Sequence, residues 1–242
     1  MKKQSAPVAV VTHSGYSGPS LDIRHNQDKA ITFHNLTMLF LLIFFTIFTI
    51  SATQAHAAEK RVVILGDSLT AGYGLESGQS FPDQLQIALQ NDGLDVTIDN
   101  AGVSGDTTAG GLSRLDWAVD APPKPDLVIV ALGANDMLRG IDVKVTKDNL
   151  SKILKKLKDK NMTTLLAGMK APTQYTLLFQ NKFDAIYPDL AKEYDVELYP
   201  FFLDGVALNP ELNQADGIHP NQRGVAVMVE KMKPVVKEIL EK

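Results

Sequence analysis

From residue 60 onward the chain alternates two hydrophobic patterns. Short apolar runs, several of them β-branched, occupy residues 61–65 (RVVIL), 95–98, 127–132 (LVIVAL), 163–167 and 196–199. Runs of this length, broken by glycine or polar residues, suit strands buried on both faces, as in a parallel sheet. Between them the period changes to that of a helix. In residues 146–160, Leu150, Ile153, Leu154 and Leu157 fall on one face at i, i+3, i+4 and i+7, and the Lys-rich remainder is a solvated face. Further helices are predicted at 82–90, 108–119, 175–193 and 222–241, the last bent at Pro234. Trp117, the one tryptophan of the chain, lies in the apolar pattern of 108–119 and is expected in the core.

Strands alternating with helices imply right-handed βαβ units, hence a five-stranded parallel sheet covered by helices on both faces. Ligands of such sheets bind beyond the carboxyl ends of the strands. The loops after Leu65, Asn100, Leu132 and Tyr199 are therefore where chemistry is expected. No internal repeat or second-domain boundary interrupts this region, and residues 58–242 read as one domain.

Residues 1–57 form a different kind of segment. Residues 36–50 (LTMLFLLIFFTIFTI) are almost purely apolar, short for a membrane span of about 20 residues but suited to the core of a signal peptide. Lys2, Lys3, Arg24 and Lys29 make the preceding stretch basic, and Ala55-His56-Ala57 has the small-x-small form of a cleavage site. Export to the periplasm or medium with cleavage near Ala57 is expected. The competing reading is an uncleaved anchor, and the lead-in of 35 residues is long for a signal peptide.

Composition excludes several alternatives. The 242 residues carry a net charge of −4, which becomes −6 once four basic and two acidic residues leave with the leader. No basic run offers a footprint for nucleic acid. With no cysteine, neither a thiolate nucleophile nor a Cys-ligated zinc is available. Four of the five histidines, His13, His25, His34 and His56, belong to the leader, so the mature chain keeps only His219. One histidine and no cysteine make a catalytic zinc improbable, and no metal or other cofactor is expected. After cleavage a monomer without stable membrane insertion is expected.

The four loops carry residues beyond ordinary turn formers: 66–70 (GDSLT), 102–106 (GVSGD), 133–136 (GAND) and 216–221 (DGIHPN). A serine hydroxyl becomes a nucleophile when an imidazole takes its proton, and the imidazole works best when a carboxylate fixes its tautomer. Asp216 and His219, three apart on one loop, can supply that pair to Ser68. Acyl transfer also needs donors aimed at the developing oxyanion, each worth typically about 3 kcal/mol. The backbone N–H groups of Ser68 and Gly105 and the amide of Asn135 are candidates. Asp67 and Asp136 are read as organisers of loop hydrogen bonds, and Asn221 as a helix cap. Neither the G-x-S-x-G elbow nor the G-x-G-x-x-G dinucleotide fingerprint is present.

These four blocks, in this order, resemble those of the SGNH, or GDSL, hydrolases, on the branch of the periplasmic bacterial thioesterase I/lysophospholipase L1 enzymes and related arylesterases. The resemblance spans residues 60–240. It implies a flavodoxin-like three-layer α/β/α fold, Ser68 as nucleophile, His219 as base, Asp216 as its partner, and an oxyanion hole of Ser68, Gly105 and Asn135. The expected activity is hydrolysis of small-molecule esters, thioesters or lysophospholipids. Loops 137–143 and 171–179 lie near the right strand ends to hold an acyl chain, with Met137, Leu138, Ile141, Tyr175, Leu177, Leu178 and Phe179 as apolar surface. A carbohydrate O-acetyl esterase could use the same site, but an aromatic content of 7% argues against a sugar-stacking platform. A non-catalytic binding protein on this fold would be expected to break one of the blocks, and all are intact.

Overall fold

The chain divides into two units, Met1–His56 and Ala57–Lys242. The computed structural model describes residues 59–242 and, before them, Ala9, Gly15, Asn35, Met38 and Phe40. Apart from those five positions, the leader with its apolar run and its cleavage site lies outside the described residues.

The sheet has five parallel strands, β1 (Lys60–Gly66), β2 (Val96–Gly102), β3 (Leu127–Ala131), β4 (Thr164–Ala167) and β5 (Glu197–Tyr199). Their order is β2-β1-β3-β4-β5, with β1 and β3 adjacent at the centre. The chain thus winds outward in one direction from β1 to β2 and in the other from β3 to β5, which opens a crevice between the carboxyl ends of β1 and β3. Burial follows position in the sheet. Val62 to Leu65 in β1 and every residue of β3 are buried, because both strands have neighbours on both sides and helices on both faces. The edge strand β2 is buried only at Val96 and Ala101, and it runs four residues past the expected end at Ile98. Its polar Asp99 and Asn100 are tolerated there because only one side needs a backbone partner. Arg61 on β1 holds Asp99 through Nε at 2.7 Å and so reinforces the ladder.

Two short helices follow strand ends, α1 (Ser68–Ala71) after β1 and α4 (Ala134–Leu138) after β3. The longer ones are α2 (Phe81–Asn91), α3 (Thr108–Val119), α5 (Val143–Asp159), α6 (Leu177–Asp184), α7 (Ile186–Tyr194) and α8 (Gln222–Leu240). The packing pairs α2 with α8, while α3 packs on α5 and α5 on α7, giving helical layers on both faces of the sheet. Helix starts follow local chemistry. Ser80 and Asp83 form a reciprocal capping box at α2, and Thr107, Asp142 and Asn221 cap α3, α5 and α8 through side-chain oxygens. The solvated lysine face of α5 is as expected, with Leu150, Ile153, Leu154 and Leu157 turned inward. Pro234 lies inside α8, which continues through it.

Two expectations need correction. The single helix over 175–193 is two, α6 and α7, meeting at Ala185. Pro188 has no N–H to give the Asp184 carbonyl four residues back, and a helix restarted at Ile186 places it in the first turn, where no such bond is needed. Trp117 is not in the core: it is 79% exposed. The inward stripe of α3 is Thr108, Gly111, Leu115 and Ala118–Val119, and Trp117, two residues beyond Leu115, points away from it. Its emission is therefore expected to be that of solvated indole and to be quenched by acrylamide almost as efficiently as free tryptophan. Blue-shifted, quencher-protected emission would contradict the placement of α3.

Candidate active site

The site begins with register. Gly66 stands level with Gly102 of β2 and with Ala131 of β3, so three strands deliver their loops at one height. The chain turns sharply after Gly66. Asp67 accepts from the Leu69 N–H at 3.0 Å and caps α1, which places Ser68 on its first turn, 9% exposed. Asp67 is itself buried, and its other oxygen accepts from Nδ2 of Asn135 at 3.3 Å. It therefore joins the serine turn to α4. Burial pushes its carboxyl up to about 6 against the lowering effect of these hydrogen bonds.

The imidazole arrives from the far end of the chain. His219 Nε2 lies 2.9 Å from Ser68 Oγ, and His219 Nδ1 lies 2.6 Å from Asp216 Oδ2. The other oxygen of Asp216 accepts from the N–H groups of Ile218 at 2.9 Å and His219 at 3.0 Å, closing the loop on itself. The backbone N–H of His219, its ring and then the N–H of Ile218 hold the Asp216 carboxyl down at about 2. The loop is fastened to its surroundings. Gln214 donates through Nε2 to the Tyr73 carbonyl at 2.7 Å and the Pro220 carbonyl at 3.0 Å, its N–H reaches the His219 carbonyl at 2.7 Å, and its own carbonyl accepts from the Gly217 N–H at 3.0 Å. The Tyr73 ring leans on the His219 ring, centroids 4.5 Å apart.

Two further loops leave the strands beside β1 at the height of the Ser68 turn. After β2, Asp106 N–H bonds the Val103 carbonyl at 3.0 Å, closing a turn in which Gly105 has φ +81°. A type II turn demands a left-handed residue at that position. The Gly105 N–H belongs to the central peptide of the turn, which the closing bond does not use. After β3, Gly133 has φ +116°, and a Cβ there would lie 2.3 Å from the Tyr187 hydroxyl. That hydroxyl donates to the Leu132 carbonyl at 3.0 Å, so only glycine admits this buried tie beneath Asn135. Asp136 is fully buried. It accepts from Thr108 N–H at 2.8 Å and Oγ1 at 2.5 Å, anchoring α3 to α4. Asp67 and Asp136 thus organise loops, as expected, although each also grips a side chain.

Ser68, His219 and Asp216 are brought together, with Asn135 joined to the serine turn through Asp67. The apolar candidates divide. Tyr175 Oη donates to the Met137 carbonyl at 3.3 Å, which brings loops 137–143 and 171–179 into contact. Tyr175, Phe179 and Phe183, four apart, stack in succession and Tyr187 meets Phe183 edge-on, with centroids 4.8 to 6.0 Å apart, from the loop down to the tie under Asn135. Leu138, Leu177 and Leu178 are exposed, Ile141, Tyr175 and Phe179 half-buried, and Met137 is buried in the core instead of lining a surface. Sequence reasoning missed two cations. Arg114 donates to the carbonyls of Gly66 at 2.8 Å and Ala101 at 2.6 Å and pairs with Asp106 at 2.6 Å, clamping the ends of β1 and β2 to the Gly105 turn. It is the lone cation of α3, which was the available signal. Arg139 reaches the Gly105 carbonyl.

This geometry has counterparts in known proteins. The family model described as GDSL-like Lipase/Acylhydrolase matches residues 64–227. The chain belongs to this family. It is 42% identical over 185 residues to an arylesterase of Vibrio mimicus, covering 76% of this chain and 90% of that protein. It is 41% identical over 176 residues to the thioesterase 1/protease 1/lysophospholipase L1 of Escherichia coli (strain K12), covering 73% and 83%. The crystal structure of AlinE4, an SGNH-hydrolase family esterase, matches at 45% identity with a TM-score of 0.65, covering 76% of this chain and 98% of that one. The sheet and its helices are those of the SGNH hydrolases, and the chain is an ester-hydrolysing serine hydrolase. Among the described residues no group of three or more His, Asp or Glu side chains is placed to hold a metal ion, and no helix is long and apolar enough to cross a membrane.

The buried Asp67 yields a pH prediction. Its carboxyl is raised in the fold, so its contribution to stability is fully present below pH about 4, its unfolded value, and is lost as pH rises through about 6. Asp67→Asn removes the charge, and should stabilise the protein by about 2 kcal/mol more at pH 7.5 than at pH 4.5, while kcat falls because Asn135 loses its anchor. Denaturant unfolding at the two pH values checks this, and an equal effect at both would contradict it.

Proposed function

We propose that this chain is an exported serine esterase that hydrolyses carboxylic esters, and with them acyl-thioesters or lysophospholipids, through an acyl-enzyme on Ser68. The observation that carries the reading is the unbroken line from Ser68 Oγ through the His219 ring to Asp216, 2.9 Å and then 2.6 Å. His219 Nε2 takes the hydroxyl proton as Oγ attacks the acyl carbon, and Asp216, already ionised, balances the imidazolium. The oxyanion forms against the N–H groups of Ser68 and Gly105 and the Asn135 amide. His219 returns the proton to the departing alkoxide or thiolate. Water, losing its proton to the same ring, then releases the acid and restores the serine.

The substrate range draws on the arylesterase and thioesterase/lysophospholipase relatives and on the exposed Leu138, Leu177 and Leu178 beside the half-buried Tyr175 and Phe179. An acyl chain lying along them would cover apolar surface that water otherwise meets, at about 0.8 kcal/mol per methylene buried. Export rests on the apolar run 36–50 and the Ala55-His56-Ala57 pattern. The domain 58–242 would then act alone, outside the cytoplasm and without a cofactor.

A panel of aryl esters, acyl-thioesters, lysophospholipids and acetylated sugars, run on wild type and Ser68→Ala, tests chemistry and substrate class together. Ser68→Ala should lower kcat by about 10,000-fold or more, and Asn135→Ala by about 100-fold. A fluorophosphonate should label wild type and not Ser68→Ala; equal labelling of both would overturn the mechanism. Replacing Leu177 and Leu178 together by Ala should shift the preference toward shorter acyl chains. An unchanged preference would remove them from the acyl pocket.

A further inference from the structure

We infer that Arg139 is a positioning residue that sets the gap between two oxyanion donors, an inference resting on the assignment of Ser68, Gly105 and Asn135 above. Arg139 is tied to both donors. Its backbone N–H bonds the Asn135 carbonyl at 3.0 Å, so the two residues share one helical turn. Its guanidinium crosses to the other loop and donates to the Gly105 carbonyl at 2.5 Å. One side chain thereby spans from the element that carries the Asn135 amide to the turn that carries the Gly105 N–H.

That turn needs bracing. It stands on a glycine at φ +81°, the residue type with the most backbone freedom to lose, at the edge of the sheet. Arg114 holds its last residue, Asp106, from the sheet side. Arg139 holds the preceding carbonyl from across the crevice. Among the described residues no carboxylate pairs with Arg139, and the Gly105 carbonyl is its one side-chain acceptor, so its charge is directed at this peptide. A charge-assisted bond to a carbonyl is stronger than a neutral one, and the planar fork of arginine loses less freedom in making it than lysine does. An oxyanion donor stabilises the transition state only if it already stands at the position the oxygen will occupy. A turn free to drift would leave substrate binding intact and weaken stabilisation of the tetrahedral state alone.

The test uses the full chain and an uncharged aryl acetate, which offers Arg139 no anionic group to bind. Arg139→Ala should lower kcat about tenfold, less than outright loss of a donor, with KM held within about twofold. Arg139→Lys, which keeps a cationic donor, should recover part of the loss. The rate of inactivation by an uncharged phosphonate ester, which builds a tetrahedral centre on Ser68, should fall by the same factor as kcat/KM. Wild-type kcat in Arg139→Ala, or a raised KM with kcat kept, would overturn the inference. Should Arg139→Ala unfold at markedly lower temperature, Arg139→Gln decides: reduced kcat at unchanged melting temperature supports the inference, and wild-type kcat overturns it. Ser68→Ala in the same assay separates the two levels, since activity surviving there would defeat the nucleophile assignment and not the bracing.

Discussion

Everything at the site depends on the level at which three parallel strands end. Gly66, Gly102 and Ala131 are register partners across β2, β1 and β3, and backbone hydrogen bonds fix that alignment before any catalytic side chain is placed. A parallel sheet carries its strands to the same edge, and the reversal of winding between β1 and β3 leaves that edge open. The Ser68 turn, the Gly105 turn and the Asn135 helix leave from these strands within a few residues. Their relative positions are inherited from the sheet, and only the His219 loop has to be brought in from elsewhere.

A second set of contacts converts proximity into geometry, and its members act on backbone more than on substrate. Asp67 bonds an N–H of its own turn and the amide of Asn135. Arg114 satisfies two strand-end carbonyls and the Asp106 carboxylate. Tyr187 fills the space that Gly133 leaves open and bonds the Leu132 carbonyl. Burying Asp67 has an energetic penalty, visible in a carboxyl raised to about 6. A charge held there at neutral pH illustrates strain kept at a functional site and offset by the packing of the core around it. Asp216 has the opposite character: partly exposed and holding two backbone N–H groups, it stays ionised and is available to support an imidazolium.

The fold was largely legible because buried parallel strands leave continuous apolar runs, and RVVIL and LVIVAL mark the two central strands unambiguously. Edges and breaks were less so. The extension of β2 through Asp99 and Asn100 is invisible to a hydrophobic pattern, since an edge strand needs backbone partners on one side only. The break between α6 and α7 required weighing Pro188 above an apolar periodicity that continues through it. Trp117 is apolar but out of phase: Leu115 and Ala118 define the inward stripe, and Trp117 falls outside it. The candidate triad was legible for chemical reasons: His219 is the one histidine after residue 56, and it has a carboxylate three residues before it. Arg114 and Arg139 were not, because, the Asp106 carboxylate aside, their acceptors are backbone carbonyls up to 48 residues distant, and no pattern of side chains announces such a pairing.

The central claim is that one hydroxyl, set by strand register and activated by an imidazole from a distant loop, carries the acyl group between two half-reactions. Rapid-quench mass spectrometry of the protein turning over an aryl ester tests it most directly. The account predicts an increment equal to the acyl group that appears within the first turnover, maps to the peptide containing Ser68 and disappears as substrate is exhausted. An acyl group mapped to any other residue would contradict it.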